Sequence, residues 1–571
     1  MDTSHYKKKL HSLKESFISL YTSLSPERVL IVWACGSISF IFFFATLVVF
    51  NNRFLIMVPT YGGEIREGVI GTPRFINPVL ATGDQDKDLT ALVFAGLTKK
   101  HTDGVVSLDM AQSITESDDA LTYVVTIKNQ ARFHDGEKVT ADDIMYTIAT
   151  IENPLIKSPH RIEWEGVAVE KNNDTQVTFT LKKPFPRFKE ALSVGILPKH
   201  IWKNLNEDQF SLSELNIRAI GSGPYAISNI TTESGIPVSF VLKAHTHYTL
   251  GRPYIETLRI FTYQNEKYLL KAFGDHDIDR MYGIAPEKIK TLNISTSTIE
   301  TSLLPRTFAV FFNPNKLSPL ADKNVREALQ MAINKQAIVD QVLFKYGKVI
   351  NSPYPFDEEL GEETYNPTKA RELLLKSKAL KNASSTLEIT LATANTEEMK
   401  KVAEMIKEAW GHIGVHATIA IYDISDLNQN IIKDREFQTL LFGAITESPS
   451  DLYAFWHSSQ RNYPGLNISN YVSKNLDSNL EILRESSDKE ELTEAYEAVK
   501  REFKEETPGI FLFAPSLVYV TRDKNVSPLP LYSYDNSSRF MLIESWYRYT
   551  DKIWPKAYYK PLLELLQNII H

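Results

Sequence analysis

Hydrophobic and polar positions along the chain fall into three regimes. The first is a run of 22 residues, opening at Val29 and closing at Phe50, without one charged side chain. It includes Phe40, Phe42, Phe43, Phe44, Leu47, Val48 and Val49. As a helix it would be about 33 Å long, enough to cross a bilayer core. The second regime, up to about residue 305, is rich in strands and turns. Residues 121–128 (LTYVVTIK) and 176–181 (QVTFTL) have the β-branched and aromatic character that predicts strands. Asp135-Gly136 predicts a tight turn. Beyond it Thr140 is placed to cap a helix, with Asp143 favourably set against the helix dipole.

The third regime alternates strands with helices. Residues 387–393 predict a strand. Val402, Met405, Ile406, Ala409, Trp410 and Ile413 then recur at the spacing of one helical face, and Gly414 predicts its stop. Residues 415–422 predict the next strand, 426–432 a short helix and 437–445 a third strand. This order implies a mostly parallel sheet with right-handed crossovers. Ligands bind beyond the carboxyl ends of such strands, which directs attention to residues 446–451, Thr-Glu-Ser-Pro-Ser-Asp. No repeat of 20–50 residues is visible, so a solenoid or propeller is not expected.

Charge gives the apolar run an orientation. Lys7, Lys8, Lys9, Lys14 and Arg28 precede it and Arg53 follows it. This bias places residues 1–28 in the cytoplasm and everything past about residue 51 outside. A cleaved signal peptide competes, but it would have a shorter apolar run and small residues at the cut. Here the run closes in Val48-Val49-Phe50-Asn51-Asn52-Arg53. Val32-Trp33-Ala34-Cys35 loosely resembles a lipobox, yet stands near the start of the run, where a lipobox cysteine should follow it. An uncleaved single span is therefore expected.

Composition narrows the rest. The 571 residues correspond to about four domains, or two or three larger ones. With 43% hydrophobic and 23% charged residues the body is an ordered globular one. A net charge of −7 offers no field for nucleic acid. The single cysteine, Cys35, excludes an internal disulfide framework and any cysteine-based metal site. H-E-x-x-H, G-x-S-x-G and P-loop patterns are missing, so no enzymatic activity and no cofactor are expected, although a triad can assemble from distant positions. Gly221-x-Gly223-x-x-Ala226 formally matches a dinucleotide fingerprint, but Pro224 and Ile227-Ser228 predict a strand where a phosphate site needs a helix. His412 and His416 have the i, i+4 spacing of metal ligands on a helix, but Gly414 between them should end it.

Five ordered stretches carry a resemblance. They are Phe133-His134-Asp135-Gly136 with residues 139–144, Gly221-Ser222-Gly223-Pro224-Tyr225, Tyr248 through Tyr254, Phe312-Asn313, and Asp322 with Val325-Arg326, Ala328-Leu329 and Ala332-Ile333. Together they resemble the signature segments of family 5 extracellular solute-binding proteins, the peptide/nickel-binding group of ABC importers. Most of these segments read as structural: His134 as a hydrogen-bonded histidine, and Val325, Ala328, Leu329, Ala332 and Ile333 as a core-facing stripe.

The resemblance implies a two-lobed α/β protein of the periplasmic-binding type II class behind one transmembrane helix. Lobe I would span 60–305, with an inserted subdomain at about 81–195, and return at 515–555. Lobe II would span 306–514, joined by segments around 308–313 and 510–516. Residues 556–571, with Leu562, Leu563, Leu565, Leu566, Ile569 and Ile570, are expected to form an amphipathic helix on the body or the membrane surface.

In peptide-binding members the loop after the third strand carries an acid that pairs with the peptide's terminal ammonium. Glu447 falls nearest that position, with Asp451 as the alternative; Glu stands where Asp is usual, and the preceding aromatic is missing. Both acids read equally as solvated loop residues. Tyr453 and Trp456 could wall a ligand, though core packing is the commoner fate of such residues. The implied function is an extracytoplasmic receptor of an ABC importer: a monomer that captures a peptide between its lobes, delivers it to permease subunits, and does not bind nucleic acid. An anchored hydrolase, or a binder of nickel chelates or oligosaccharides on the same fold, is the alternative.

Overall fold

The structure, a computed structural model, describes residues 14–16, 18–19, 22–101, 105–289, 298–357, 365–380, 387–486, 488–522 and 529–553. The expected C-terminal helix at 556–571 lies outside them. Two compact units emerge. The smaller contains a helix, Pro26–Phe54, begun by Pro26 in its first turn, where a missing N–H costs nothing. Its apolar side chains face outward, with Phe42 and Leu30 both 71% exposed, so it is no core helix of a soluble body. Strand Ile56–Thr60 follows and pairs antiparallel with Tyr549–Ile553, Ile56 opposite Ile553.

The larger unit, residues 61–548, is organised by one strand, Gly509–Thr521. Its sequence GIFLFAPSLVYVT is apolar almost throughout and buried along most of its length, as expected of a strand covered on both faces. Its first half pairs with Arg306–Phe312 and its second half with Thr298–Leu303 and Arg280–Tyr282. The change of partner falls around Pro515, which has no N–H to give to a ladder. There Leu304 N–H donates to Pro515 O (3.0 Å) and Ser516 N–H to Tyr346 O (3.1 Å).

Two lobes result, each with its own core. One core runs from Ile65 to Leu304 and resumes at Leu517, Tyr519, Phe540, Ile543 and Trp546; the other runs from Leu303 to Ala514. In the first lobe the returning segment is held by Arg539, fully buried between Glu67 (2.7 Å) and Asp88 (2.6 Å). Tyr519 donates to Glu67 and Tyr282 to Asp88. A four-stranded antiparallel sheet contains Thr122–Ile127 and Gln176–Thr180, the two strands predicted here; Tyr123, Val125, Ile127, Val177 and Phe179 point into the core.

In the second lobe Glu388–Ala394 pairs parallel with both His416–Tyr422 and Thr439–Ile445. Beyond that three-strand unit the sheet turns antiparallel, through Arg306–Phe312 and Gly509–Thr521, so it is mixed and not mostly parallel. Helix Glu397–His412 ends as predicted: Gly414 takes φ +86°, and the Val415 and Gly414 N–H groups reach back to Trp410 O and Gly411 O. His416 then opens the next strand, so His412 and His416 share no helical face. The short helix is Ile424–Asp426 continued by a π turn, Leu427–Ile432.

The motif-like stretches have structural employment. Gly221 N–H donates to His134 Nδ1 (3.3 Å), and His134 Nε2 lies 3.1 Å from Gly223 O. A Cβ on Gly221 would stand 2.1 Å from Val93 O, and one on Gly223 2.6 Å from Val93 C. Those glycines therefore permit close backbone packing, and strand Tyr225–Glu233 stands where a phosphate site would need a helix. The Asp143 carboxylate accepts from Thr140 N–H and hydroxyl (2.9 and 2.7 Å), so the acid does more of the capping than Thr140. Arg326 donates to Glu506 O and Thr507 O, closing the C-terminus of helix Lys489–Glu506.

Burial, helped by the neighbouring His245, lowers the His134 pKa to about 3. An unfolded chain binds that proton from pH ~6.5 downward while the native state does not, so stability falls with pH across that window. The slope should be about 1.4 kcal/mol per pH unit for each such histidine. Thermal unfolding of His134→Gln between pH 7 and 4 should show a shallower decline than the unaltered chain; parallel curves would refute the assignment.

Candidate functional site

Strand Thr439–Ile445 delivers the chain to the lobe junction. Its Gly443 lies opposite Phe308, whose ring a Cβ there would approach to 3.0 Å, so a larger residue would push the ring aside. Thr446, buried, donates its N–H to Pro305 O (2.8 Å), which ties the start of the predicted loop to the crossing between the lobes. Asp451 then folds the loop back on itself: its Oδ2 accepts from the N–H groups of Glu447 and Ser448, both at 2.9 Å.

Across the junction stand three charged residues of the first lobe. Lys100 ends strand Thr98–Lys100; Arg187 precedes the short helical turn Phe188–Ala191, and Glu190 lies within it. Lys100 Nζ lies 2.7 Å from Glu447 Oε2 and 3.2 Å from Glu190 Oε2, and 3.6 Å above the Tyr534 ring. Arg187 donates to Asp451 Oδ1 (2.8 Å) and Glu190 Oε2 (2.9 Å) and stands 3.6 Å from Glu447. Two cations thus meet three carboxylates, leaving one net negative charge at the junction.

Protonation follows burial and neighbours. Burial disfavours the Arg187 charge, but Glu190, Asp451 and Glu447 outweigh it and raise its pKa. Glu190, also opposed by burial, is held low by Arg187 and Lys100. Asp451 goes the other way: burial raises it despite Arg187 and two backbone N–H groups. The bridge therefore compensates Arg187 more fully than Asp451, and acid reaches Asp451 first.

Of the four residues singled out in the sequence, Glu447 and Asp451 meet at the junction. Tyr453 stacks on His457 (4.2 Å between centroids) with the Arg484 guanidinium 4.4 Å from its ring. Trp456, 2% exposed, packs among Phe311, Phe503 and Phe511. It is a core residue and not a ligand wall, because Gly509 leaves the gap its ring fills. Sequence reasoning missed Lys100 and Arg187, which lie hundreds of positions from Glu447 and Asp451, and Glu190, which pairs with both cations; only the i, i+3 spacing of Arg187 and Glu190 was visible locally. Among the described residues no group of three His, Cys, Asp or Glu is placed to hold a metal ion.

Two lobes joined by crossing strands, with a charged loop set between them, are the architecture of a two-lobed binding protein. The chain belongs to the bacterial extracellular solute-binding proteins, family 5, whose middle-region model matches residues 105–464. Among its relatives, the oligopeptide-binding protein AppA of Bacillus subtilis (strain 168) is 28% identical over 480 residues, 80% of this chain and 87% of that protein. A solved structure of AppA from B. subtilis in complex with a nonapeptide has 27% identity and a TM-score of 0.65, covering 86% of this chain and all of that one. NikZ from Campylobacter jejuni in complex with Ni(L-His) has 25% identity and a TM-score of 0.66, covering 86% and 99%.

Removing Arg187 would leave Glu190 and Asp451 facing each other with one cation fewer. For partly exposed partners the cost is about 1–2 kcal/mol, roughly a tenfold loss of lobe-to-lobe association. Small-angle scattering of Arg187→Met should report a more open particle than the unaltered chain at low salt, with the difference shrinking at high salt. Identical profiles would show that these bridges do not hold the lobes together.

Proposed function

We propose that this chain is the membrane-tethered receptor of an ABC import system, capturing peptides between its lobes and passing them to permease subunits. The observation that carries the reading is the loop of Glu447 and Asp451, fixed at the carboxyl end of strand Thr439–Ile445 and turned toward the opposite lobe. Glu447 already pairs with an ammonium group, that of Lys100. A peptide's terminal ammonium has the same chemistry, and the net negative charge of the cluster favours it. Glu447 is the ligand carboxylate in this reading, and Asp451 holds the loop in shape. Tyr453 and Trp456 support the helix behind it.

The similarity to AppA, solved with a nonapeptide, supports a peptide over a nickel chelate. Backbone hydrogen bonds to an extended ligand would give affinity with little dependence on sequence. The lobes close about the two crossings, Leu304-Pro305 and Ala514-Pro515-Ser516. Helix Pro26–Phe54 acts as an uncleaved anchor with the lobes on the extracytoplasmic side, raising the receptor's concentration near its permease.

Mass spectrometry of the purified chain should find intact peptides released on denaturation; fragments that accumulate on incubation would favour a hydrolase. With one such peptide and its N-acetylated form, calorimetry should show Glu447→Gln weakening the free-amino form about tenfold more. Equal losses would refute the ammonium role. For the anchor, alkaline carbonate should leave the chain in the membrane pellet, with an intact mass that includes residues 1–28. A mature N-terminus after the apolar run would show a signal peptide instead.

A further inference from the structure

The Lys100 ammonium sits in a cage drawn from three separate stretches of chain. Glu447 Oε2 lies 2.7 Å away on one side and Glu190 Oε2 3.2 Å away on another. The Tyr534 ring closes a third side, its centroid 3.6 Å from Nζ. Two carboxylates and the negative face of an aromatic ring are the groups that recognise an ammonium ion. Each wall has its own support besides the lysine. The Tyr534 hydroxyl donates to His101 O (2.6 Å), Glu190 accepts from Arg187 (2.9 Å), and the Glu447 loop is folded by Asp451.

The walls do not belong to one body. Glu190 and Tyr534 stand with Lys100 on the first lobe, and Glu447 comes from the second. Lys100 therefore divides one charge between a carboxylate that travels with it and one that does not. Within these five side chains the cluster is also one cation short. Arg187 serves Asp451 and Glu190, which leaves Lys100 to serve Glu190 and Glu447. A further ammonium at Glu447 would bring the count to three against three, with Lys100 still paired to Glu190.

We propose that Lys100 is a built-in stand-in for the ligand: it holds Glu447 while no peptide is bound, and yields it to a peptide's terminal ammonium, resting then on Glu190 and Tyr534. The proposal deepens the reading of Glu447 as the ligand carboxylate and depends on it. Every peptide then binds against a competitor already in place, and its apparent affinity falls by the fraction of time that Lys100 occupies the acid. Breaking the bridge also frees the second lobe from the first, so capture and release of the lobes are linked through one lysine.

The test uses the full-length chain and a random-sequence nonapeptide library, offered with free or acetylated amino termini, and measures the peptide retained against protein concentration. Lys100→Met should tighten the free-amino library about tenfold and leave the acetylated one unchanged. Lys100→Arg keeps the charge and can give Glu447 two parallel N–H bonds, so it should weaken the free-amino library. In a Glu447→Gln background neither substitution should matter. Weaker binding of both libraries to Lys100→Met would make the lysine a grip on the peptide, and equal tightening of both would make it a general brace between the lobes. Either result overturns the proposal, as does binding that ignores both substitutions. The Glu447→Gln chain separates the two ideas. If it loses the preference for free amino termini while the Lys100 variants behave as the unaltered chain, the stand-in alone is refuted; if it keeps that preference, or if the unaltered chain retains no peptide, the ammonium role of Glu447 falls and the stand-in with it.

Discussion

The whole larger unit depends on one strand that belongs to two cores. In Gly509–Thr521, Ile510, Leu512, Phe513 and Ala514 are buried in one core, and Leu517 and Tyr519 in the other. A backbone can satisfy its hydrogen bonds only locally, so each half must find partners in its own lobe. Pro515, without an N–H, sits where the partners change. The second crossing, at Leu304-Pro305, is bonded to this one through Leu304 N–H and Pro515 O. Two short, mutually bonded crossings between stiff sheets leave rotation about their common line as the cheapest motion.

That arrangement makes the junction sensitive to a few charges. The loop after strand Thr439–Ile445 starts from a hydrogen bond to Pro305 O, so its acids sit near the axis and meet the opposite lobe with little lever arm. Asp451 spends one oxygen on its own loop and the other on Arg187. Glu447, a third exposed, keeps more freedom. The division follows burial: the more enclosed carboxylate is fixed by backbone donors, and the more open one pairs with the Lys100 ammonium.

Legibility in the sequence tracked how local each cause was. The helix around Trp410 and its glycine stop were readable because periodicity and φ preference act within a few residues, and Trp410 Nε1 then bonds Leu329 O across the core. Strand edges near 122, 388 and 439 differed from expectation by one or two positions. The antiparallel half of the second sheet was not legible, because the partners of strand Arg306–Phe312 lie far along the chain. Nor was the π turn at Leu427–Ile432, since an i to i+5 bond leaves no mark in a 3.6-residue pattern. At the junction the acids could be named, and the cations from the other lobe could not.

The same contrast explains why kinship reaches further for architecture than for ligand. The stretches that carried the resemblance do structural tasks: His134 with Gly221 and Gly223, Arg326 on the end of helix Lys489–Glu506, Val325 and Leu329 in a core. Such tasks are set by backbone geometry and burial, which any ligand chemistry can share. The residues facing across the junction, Glu447 and Asp451 against Lys100 and Arg187, are partly exposed charges that the two cores do not fix. The Glu447 side chain carries its carboxylate across to Lys100, 2.7 Å away. Glu447 and Asp451 both touch the opposite lobe, through Lys100 and Arg187, at positions where a change need not disturb the fold.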